Sequence, residues 1–216
     1  PTPPEAFSLP AHAPLRLDDP EARWIVEAGS VALFALRAAL PPATEGTRHY
    51  LGSIAEGGLV CGLGTDLAGT SAIAVGAGGT RLRPLPPGAL AALDPAPLGA
   101  AIDAWAEALA GGLARPLLPR PQADLALAPR GARQRPPAGT VVVAAEGARG
   151  GPLWLRLGGD WLLLGLERVG GLVPLPPGAW LTGGAGASCR PASAAEALRS
   201  GDWQEGLAGF NAALLE

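Results

Sequence analysis

The stretch "RWIVEAGSVALFALRA" (Arg23–Ala38) decides how the chain is interpreted, because it holds two apolar runs separated by a Gly-Ser pair. Runs of about 5–8 residues that are bounded by Gly, Pro or polar residues are typical of short β-strands. Such spacing predicts an all-β sandwich or barrel over Glu21–Leu90. The further segments with this pattern are RHYLGSI (Arg48–Ile54), LVCGLG (Leu59–Gly64), SAIAVGA (Ser71–Ala77) and TRLRPL (Thr80–Leu85).

A helix is predicted directly after this block. Asp94 can cap it, Pro95 and Pro97 suit its first turn, and Gly111-Gly112 is expected to end it. An apolar stripe at spacings of 4, 3 and 4 then lies on one helix face, and we expect it to pack on the β block. The stripe consists of Leu98, Ile102, Trp105 and Leu109.

A second, shorter block of predicted strands spans Gly139–Leu181. Its segments are TVVVAAEG (Thr140–Gly147), PLWLRLGG (Pro152–Gly159) and DWLLLGLER (Asp160–Arg168). The Gly158-Gly159-Asp160 junction predicts a hairpin. Beyond the block, Ser193 and Glu196 have the spacing of a capping box that begins a helix. Another 4, 3, 4 stripe follows at Trp203, Leu207, Phe210 and Leu214.

The hexapeptide PLPPGA occurs twice, at Pro84–Ala89 and Pro174–Ala179. Two prolines stop strand pairing, and glycine lets the chain turn away. The repeat therefore fits either a duplicated module or a shared way of leaving a sheet. A perfect duplication is disfavoured by the unequal lengths of the two blocks. We expect each copy to follow the last strand of its block and to lead the chain off it.

These patterns divide the chain into six segments. They are an extended leader (1–20), a β-roll module (21–93), a helix (94–114), a basic Pro-rich linker (115–137), a second β block (138–182) and C-terminal helices (193–216). The linker holds five arginines and one acidic residue, Asp124, and its charge fits a solvated, self-repelling linker. The alternative is a segment that contacts phosphates, an acidic peptide or lipid head groups. The arginines are Arg115, Arg120, Arg130, Arg133 and Arg135.

Composition excludes several classes of protein. The chain has 216 residues, a hydrophobic share of 48% and a net charge of −3, so it is neither disordered nor globally basic. No apolar run in the sequence, Trp161–Leu166 included, approaches the roughly 18–20 residues of a membrane span. Two cysteines without metal or redox spacing predict reduced thiols in a cytosolic compartment. Because the sequence contains no Met, we expect a domain of a longer protein.

Catalytic patterns are also missing from the sequence. A phosphate-binding loop requires lysine, and the chain has none. The two histidines, His12 and His49, are too few for a typical multi-histidine metal site, so we expect no metal. Cys61 and His49 could pair as nucleophile and base, but Cys61 lies in an apolar run, which favours a buried structural thiol. We therefore predict no catalytic residue and no enzyme.

Two stretches, WIVEAGSVALFAL (Trp24–Leu36) and GTRHYLGSIAEGGLVCGL (Gly46–Leu63), resemble the opening of the cyclic-nucleotide-binding-like β-roll. More specifically, the chain resembles the N-terminal cytosolic region of NHLM/NHLP-type bacteriocin ABC exporters. PLWLRLGGDWLLLGLER (Pro152–Arg168), LPPGAW (Leu175–Trp180) and the terminal Ala194–Glu216 also have counterparts there. The resemblance covers most of residues 20–216. The fold that it implies is mainly β with peripheral helices, in which a cyclic-nucleotide-binding-like or cupin-like β-roll precedes a helix, a smaller β block and C-terminal helices.

The resemblance also implies a function. The chain would be a non-catalytic accessory domain that recognises a precursor peptide or gates transport, at the cytoplasmic face of the bacterial inner membrane. Its partners would be that peptide and its own transmembrane and ATPase domains, and it would dimerise through the exporter. ATP and Mg²⁺ would belong to the parent protein, this fragment would hold no cofactor, and nucleic acid is not expected.

Two other functions remain open. The first is a small-ligand sensor of the cyclic-nucleotide type, whose glycine-rich cassette would correspond to Glu56, Gly57, Gly58 and Gly62. The cassette departs from the family pattern because the inner Glu is missing and no Arg follows before Arg81. A phosphate buried there would lack a compensating charge, which disfavours nucleotide binding. The second is a structural spacer that stabilises a dimer.

Overall fold

The computed structural model describes residues 4–36, 47–64, 70–86, 88–116, 120–128, 131–145 and 153–215. These residues form two compact units, Pro1–Gly112 (grouped with the last two residues, Leu215–Glu216) and Leu113–Leu214. The secondary structure is dominated by short β-strands, and three α-helices accompany them. The predicted fold class, mainly β with peripheral helices, is therefore confirmed.

The described residues of unit 1 form eight strands in two four-stranded antiparallel sheets. One sheet has the order β1-β8-β3-β6 and the other the order β2-β7-β4-β5. This is the double-sheet roll of jelly-roll and cupin proteins. The strands are β1 (Phe7–Ser8), β2 (Leu15–Arg16), β3 (Arg23–Ala28), β4 (Ser30–Leu36), β5 (Arg48–Ala55), β6 (Leu59–Cys61), β7 (Ser71–Gly76) and β8 (Arg81–Pro84).

Unit 2 also has two sheets, with the orders β13-β12-β15-β10-β9 and β14-β11-β16. A single bridge from Gln134 to Cys189 continues the second sheet beyond β16. Its strands are β9 (Leu125–Leu127), β10 (Val141–Ala144), β11 (Leu153–Gly158), β12 (Trp161–Leu163), β13 (Glu167–Arg168), β14 (Gly171–Leu175), β15 (Leu181–Gly183) and β16 (Ser188–Ala192).

The two units have the same strand order once Gln134 is taken as the first strand of unit 2. The sheets then read Gln134-β16-β11-β14 and β10-β15-β12-β13, which match first-eighth-third-sixth and second-seventh-fourth-fifth in unit 1. The registers also agree, since Val31 pairs with Gly76 in unit 1 and Trp161 pairs with Gly183 in unit 2. The chain thus contains one roll topology twice, and β9 is an addition to the second roll.

Equivalent turns pass the chain between the two sheets of each roll. Gly29, between β3 and β4, has φ 77°, and Gly159, between β11 and β12, has φ 75°. The strands on either side of each turn belong to different sheets. The hairpin predicted at Gly158-Gly159-Asp160 is therefore wrong. A left-handed glycine turns the chain sharply without requiring the flanking strands to pair.

The predicted strand Asp160–Arg168 is interrupted. It consists of β12 and β13, which pair with each other around a turn at residues 164–166. Leu164 has φ 55° in this turn and is the one non-glycine residue with a positive φ among those described. A continuous apolar run hid the turn, because leucine seldom occupies the left-handed region.

The two PLPPGA copies occupy different places in the two rolls. The first follows β8, the last strand of unit 1, and leads towards the helix, as expected. The second follows β14 and precedes β15 and β16, so the prediction that it ends its block is wrong. In both copies alanine N–H donates to the carbonyl three residues earlier, Ala89 to Pro86 at 3.0 Å and Ala179 to Pro176 at 3.2 Å. The hexapeptide therefore encodes a local turn and does not mark the duplication.

The predicted leader and linker both contribute to the sheets. Residues 1–20 supply β1 and β2, which pair with β8 and β7. Residues 115–137 supply β9 and the Gln134 bridge. The predicted limit of the second β block at residue 182 also changes, because β16 ends at Ala192. Segments of one to three paired residues show too little alternation to be recognised in a sequence.

The helices are α1 (Pro95–Ala114), α2 (Ala194–Ser200) and α3 (Trp203–Leu215). Both predicted stripes are buried, with Trp105 and Phe210 each at 0% exposure. Both hydrogen bonds of the capping box form: Glu196 N–H donates to Ser193 Oγ, and Ser193 N–H donates to the Glu196 carboxylate.

The predicted end of α1 at Gly111-Gly112 is wrong, because the helix continues to Ala114. Close packing on β5 explains the glycine at 112, since a Cβ there would lie 2.4 Å from Leu51 Cα.

The glycine pair in α1 gives a matched test of this packing. We expect Gly112→Ala to lower the free energy of unfolding by about 1–3 kcal/mol, because the backbone of Leu51 would have to move. Gly111→Ala should raise it by up to about 1 kcal/mol, since nothing lies within 4 Å of the added methyl group and alanine favours helices. Urea unfolding of both variants measures the difference, and equal effects would contradict the close approach.

Candidate functional site

The residues of the predicted nucleotide cassette lie between β5 and β6 and just after β6. Glu56 and Gly57 are exposed at the turn, whereas Gly58 and Gly62 are buried. Gly57 N–H donates to Val26 O at 2.8 Å, and Val26 N–H donates to Gly58 O at 3.0 Å. These bonds attach the turn to β3, so its backbone donors are directed into the sheet and not towards a ligand.

The buried glycines of the cassette are required by neighbouring protein atoms. A Cβ at Gly62 would lie 1.6 Å from Asp19 O, and one at Gly58 would lie 2.4 Å from Ile54 Cγ2. Gly62 N–H also donates to Ala22 O at 2.8 Å. Gly58 and Gly62 thus allow close contacts with other described residues of the same roll.

The structure places the two candidate catalytic side chains in different sheets. His49 is on β5 and its Nε2 lies 3.2 Å from Gly112 O, whereas Cys61 is on β6 opposite Arg23. Cys61 is fully buried, and burial raises the pKa of its thiol to about 12. Burial also raises the pKa of Cys189. Neither thiol has the lowered pKa of a reactive cysteine.

The arginines of the Pro-rich segment do not converge on one point. Arg115 is exposed directly after α1, and Arg133 and Arg135 are exposed on either side of the Gln134 bridge. The Arg120 guanidinium packs over the second PLPPGA turn, 3.5–3.8 Å from the position that a Cβ would take at Gly178. Arg130 lies outside the described residues.

The arrangement with most binding character is the edge of β10, where β9 lies as a parallel strand. Its register pairs Leu125 with Val142 and Leu127 with Ala144. Asp124 N–H donates to Val141 O at 3.0 Å, and Ala145 N–H donates to Leu127 O at 2.9 Å. The Asp124 carboxylate also accepts from Val141 N–H at 2.8 Å.

The side chains of β9 divide according to the face of the strand. Leu127 is 4% exposed, Leu125 is half-buried and Ala126 between them is exposed. The two leucines therefore extend the buried face beside Val142, while main-chain bonds hold the strand. In the sequence, the signal for β9 was the alternation of large and small apolar residues in Leu-Ala-Leu. The signal is weak because it covers three residues and lies between Pro121 and Pro129, which disfavour strands.

No family model matches the chain, and no curated protein matches it either. One similar solved structure is the regulatory domain of Toxoplasma gondii PKA in a co-crystal with cAMP. The alignment has 12% identity and a TM-score of 0.27, and it covers 93% of this chain and 82% of that chain. A likeness at this level assigns no ligand and no residue role here.

In the described part of the chain, none of the helices is both long and apolar enough to cross a bilayer. None of its His, Cys, Asp and Glu side chains form a group of three that could hold a metal ion.

Thiol modification tests the structural interpretation of the cysteines. We expect both Cys61 and Cys189 to resist a disulfide reagent at about pH 8 in the folded protein, because they are buried and protonated. Both should react at once in concentrated urea. The raised pKa of Cys61 also stabilises the fold below the ordinary thiol pKa of 9.0, and this stability should be lost as the pH rises towards about 12.

The variants Cys61→Ala and Cys189→Ala show which thiol reacts with the reagent, since each variant should lose one of the two reactive thiols in urea. Rapid modification of Cys61 in the folded protein, with a circular dichroism spectrum that confirms folding, would contradict a structural role.

Proposed function

We propose that the chain is a non-catalytic domain that binds an extended peptide by strand addition, as an accessory domain of a peptide exporter. The observation that supports this is β9, an extended segment held on the edge of a roll through its backbone. Strand addition of this kind takes its affinity from main-chain hydrogen bonds and its specificity from alternate side chains. The second roll thus binds, within the same chain, a segment of the kind proposed as the ligand.

The interiors of the rolls favour edges over cavities as binding places. Each unit contains fully buried apolar side chains on strands of both of its sheets. In unit 1 they include Val26, Val31, Leu33, Ile54 and Leu59, and in unit 2 Trp154, Leu155, Trp161, Leu163 and Leu181. Large apolar side chains in this number make a packed core, and a polar ligand placed among them would lose its hydration.

The exporter context rests on the sequence resemblance over Trp24–Leu36, Gly46–Leu63 and the second block. In that context the peptide is the precursor of the exported product, and the domain lies at the cytoplasmic face of the inner membrane. Recognition would hold the precursor near the transmembrane and ATPase domains of the parent, where ATP and Mg²⁺ act. Exposed Arg133 and Arg135 would attract acidic residues of the same peptide.

Peptide display gives the test. We expect random twelve-residue peptides selected on the immobilised protein to show apolar residues at alternating positions, because one face of an added strand packs against the roll. Selected peptides, titrated calorimetrically against the protein in solution, should release or absorb heat with saturation.

Two results would count against this function. One is the absence of enrichment above a protein-free surface. The other is an increase in melting temperature with millimolar cAMP or cGMP but with none of the selected peptides, which would favour the small-ligand sensor because a ligand stabilises the state that binds it.

A further inference from the structure

The first roll has the edge that β9 covers in the second roll. β2 corresponds to β10, because Leu15 pairs with Ala74 in unit 1 and Val142 pairs with Leu181 in unit 2. Ala74 and Leu181 are themselves equivalent, since they pair with Leu33 and Leu163 on the fourth strand of each roll. β2 ends its sheet, and within the described part of the chain no strand pairs with its outer side.

The register of β2 shows which backbone groups are available. Leu17 N–H donates to Ala72 O at 2.9 Å, and Leu17 O accepts from Leu63 N–H at 2.7 Å and Gly64 N–H at 3.1 Å. The odd-numbered residues therefore direct their hydrogen-bonding groups towards β7 and the segment that follows β6. Antiparallel pairing alternates, and the even-numbered residues direct theirs outwards. The outward groups are Pro14 C=O, Arg16 N–H, Arg16 C=O and Asp18 N–H, and no residue that the structure describes forms a hydrogen bond with them.

These four groups have the same sequence of donors and acceptors as the edge occupied by β9. Their counterparts on β10 are Val141 C=O, which accepts from Asp124 N–H, and Ala145 N–H, which donates to Leu127 O. Between them, Val143 N–H and Val143 C=O are directed to Leu125 and Leu127 by the parallel register. An extended peptide that runs parallel to β2 can therefore form corresponding bonds, in which two inward residues alternate with an exposed one. Its two inward side chains would lie beside half-buried Leu15 and buried Leu17.

Charge at the end of β2 restricts the peptide further. Asp19 and Glu21 are exposed just beyond the strand. The Asp18 carboxylate forms an ion pair with Arg16 through Oδ2, while its Oδ1 is enclosed by protein and accepts no hydrogen bond from a described residue. Residues 1–112 carry eleven acidic residues and six arginines. A basic residue that follows the second apolar residue of a parallel peptide would reach this acidic end.

We propose that the open edge of β2 is the binding site for an extended partner peptide with the pattern apolar-x-apolar followed by a basic residue. The proposal rests on the proposed peptide-binding function and assigns it a place, an orientation and a sequence preference. The peptide adds a ninth strand to the first roll in the position that β9 takes in the second. β9 and its continuation, Leu125–Arg130, read LALAPR and have the same pattern.

The probe for the test is a capped synthetic peptide, QADLALAPR, with the sequence of residues 122–130. We expect it to bind the wild-type protein in calorimetric titration and to bind Arg16→Pro at least about tenfold more weakly, since proline removes the outward N–H. The control is Val143→Pro at the equivalent position of the second roll, which should bind within about twofold of wild type. Equal affinity for wild type and Arg16→Pro would overturn the site.

Modified peptides keep the test independent of variant folding. N-methylation at the second leucine of the probe should reduce affinity at least about tenfold, because that N–H would donate to Arg16 C=O. N-methylation at the alanine between the leucines should change it by less than about threefold, because that N–H points away from β2. Equal losses for the two peptides would overturn strand addition.

The remaining outcomes separate the site from the function. Failure of the probe to bind at millimolar concentration, while display-selected peptides still bind equally to wild type and Arg16→Pro, would overturn the β2 site and leave the peptide-binding function intact. A wild-type dimer in sedimentation equilibrium that becomes a monomer in Arg16→Pro would also overturn the proposal, because a second copy would then occupy the edge.

Discussion

The fold depends on a backbone crossing that leaves no room for a side chain. A Cβ at Gly29 would lie 2.9 Å from Thr80 Oγ1, and one at Gly159 would lie 2.2 Å from Gly186 O. Beyond each turn the same hydrogen bond forms, from Ala77 N–H to Ser30 O at 2.9 Å and from Gly184 N–H to Asp160 O at 2.8 Å. This crossing sends the third and fourth strands of each roll into opposite sheets.

The sequence predicted the features that depend on side-chain periodicity and local turns. The long strands were recognisable from their length and their bounding turn residues. Both helical stripes were recognisable from their period and the Ser193–Glu196 box from its fixed spacing. It did not predict β1, β2 or β9, which are held by backbone pairing over two or three residues. It also misplaced the end of α1, because the cost of glycine in a helix, about 1 kcal/mol, is offset where Gly112 packs on β5.

For the candidate site too, features that depend on backbone pairing or close backbone contacts could not be predicted from the sequence. Glycines that suggested a ligand cassette, Gly58 and Gly62, are instead required by close contacts with Ile54 and Asp19. The equivalence of β2 and β10 could not be read from the letters, because the roll was duplicated in pairing order and not in sequence. PLPPGA, which is identical in both copies, lies after the eighth strand in one roll and after the sixth in the other.

Amide hydrogen exchange measured by NMR tests the central claim most directly. The claim is that the outer edge of β2, which no described residue covers, is open, whereas β9 covers the equivalent edge of the second roll. In the free protein we expect rapid exchange of the Asp18 amide. The amide of its counterpart Ala145, which donates to Leu127 O, should be protected, and so should that of Leu17, which donates to Ala72 O. Addition of QADLALAPR should then slow the exchange of Arg16 and Asp18. Protection of Asp18 in the free protein equal to that of Leu17 would contradict the account, because the edge would already be paired.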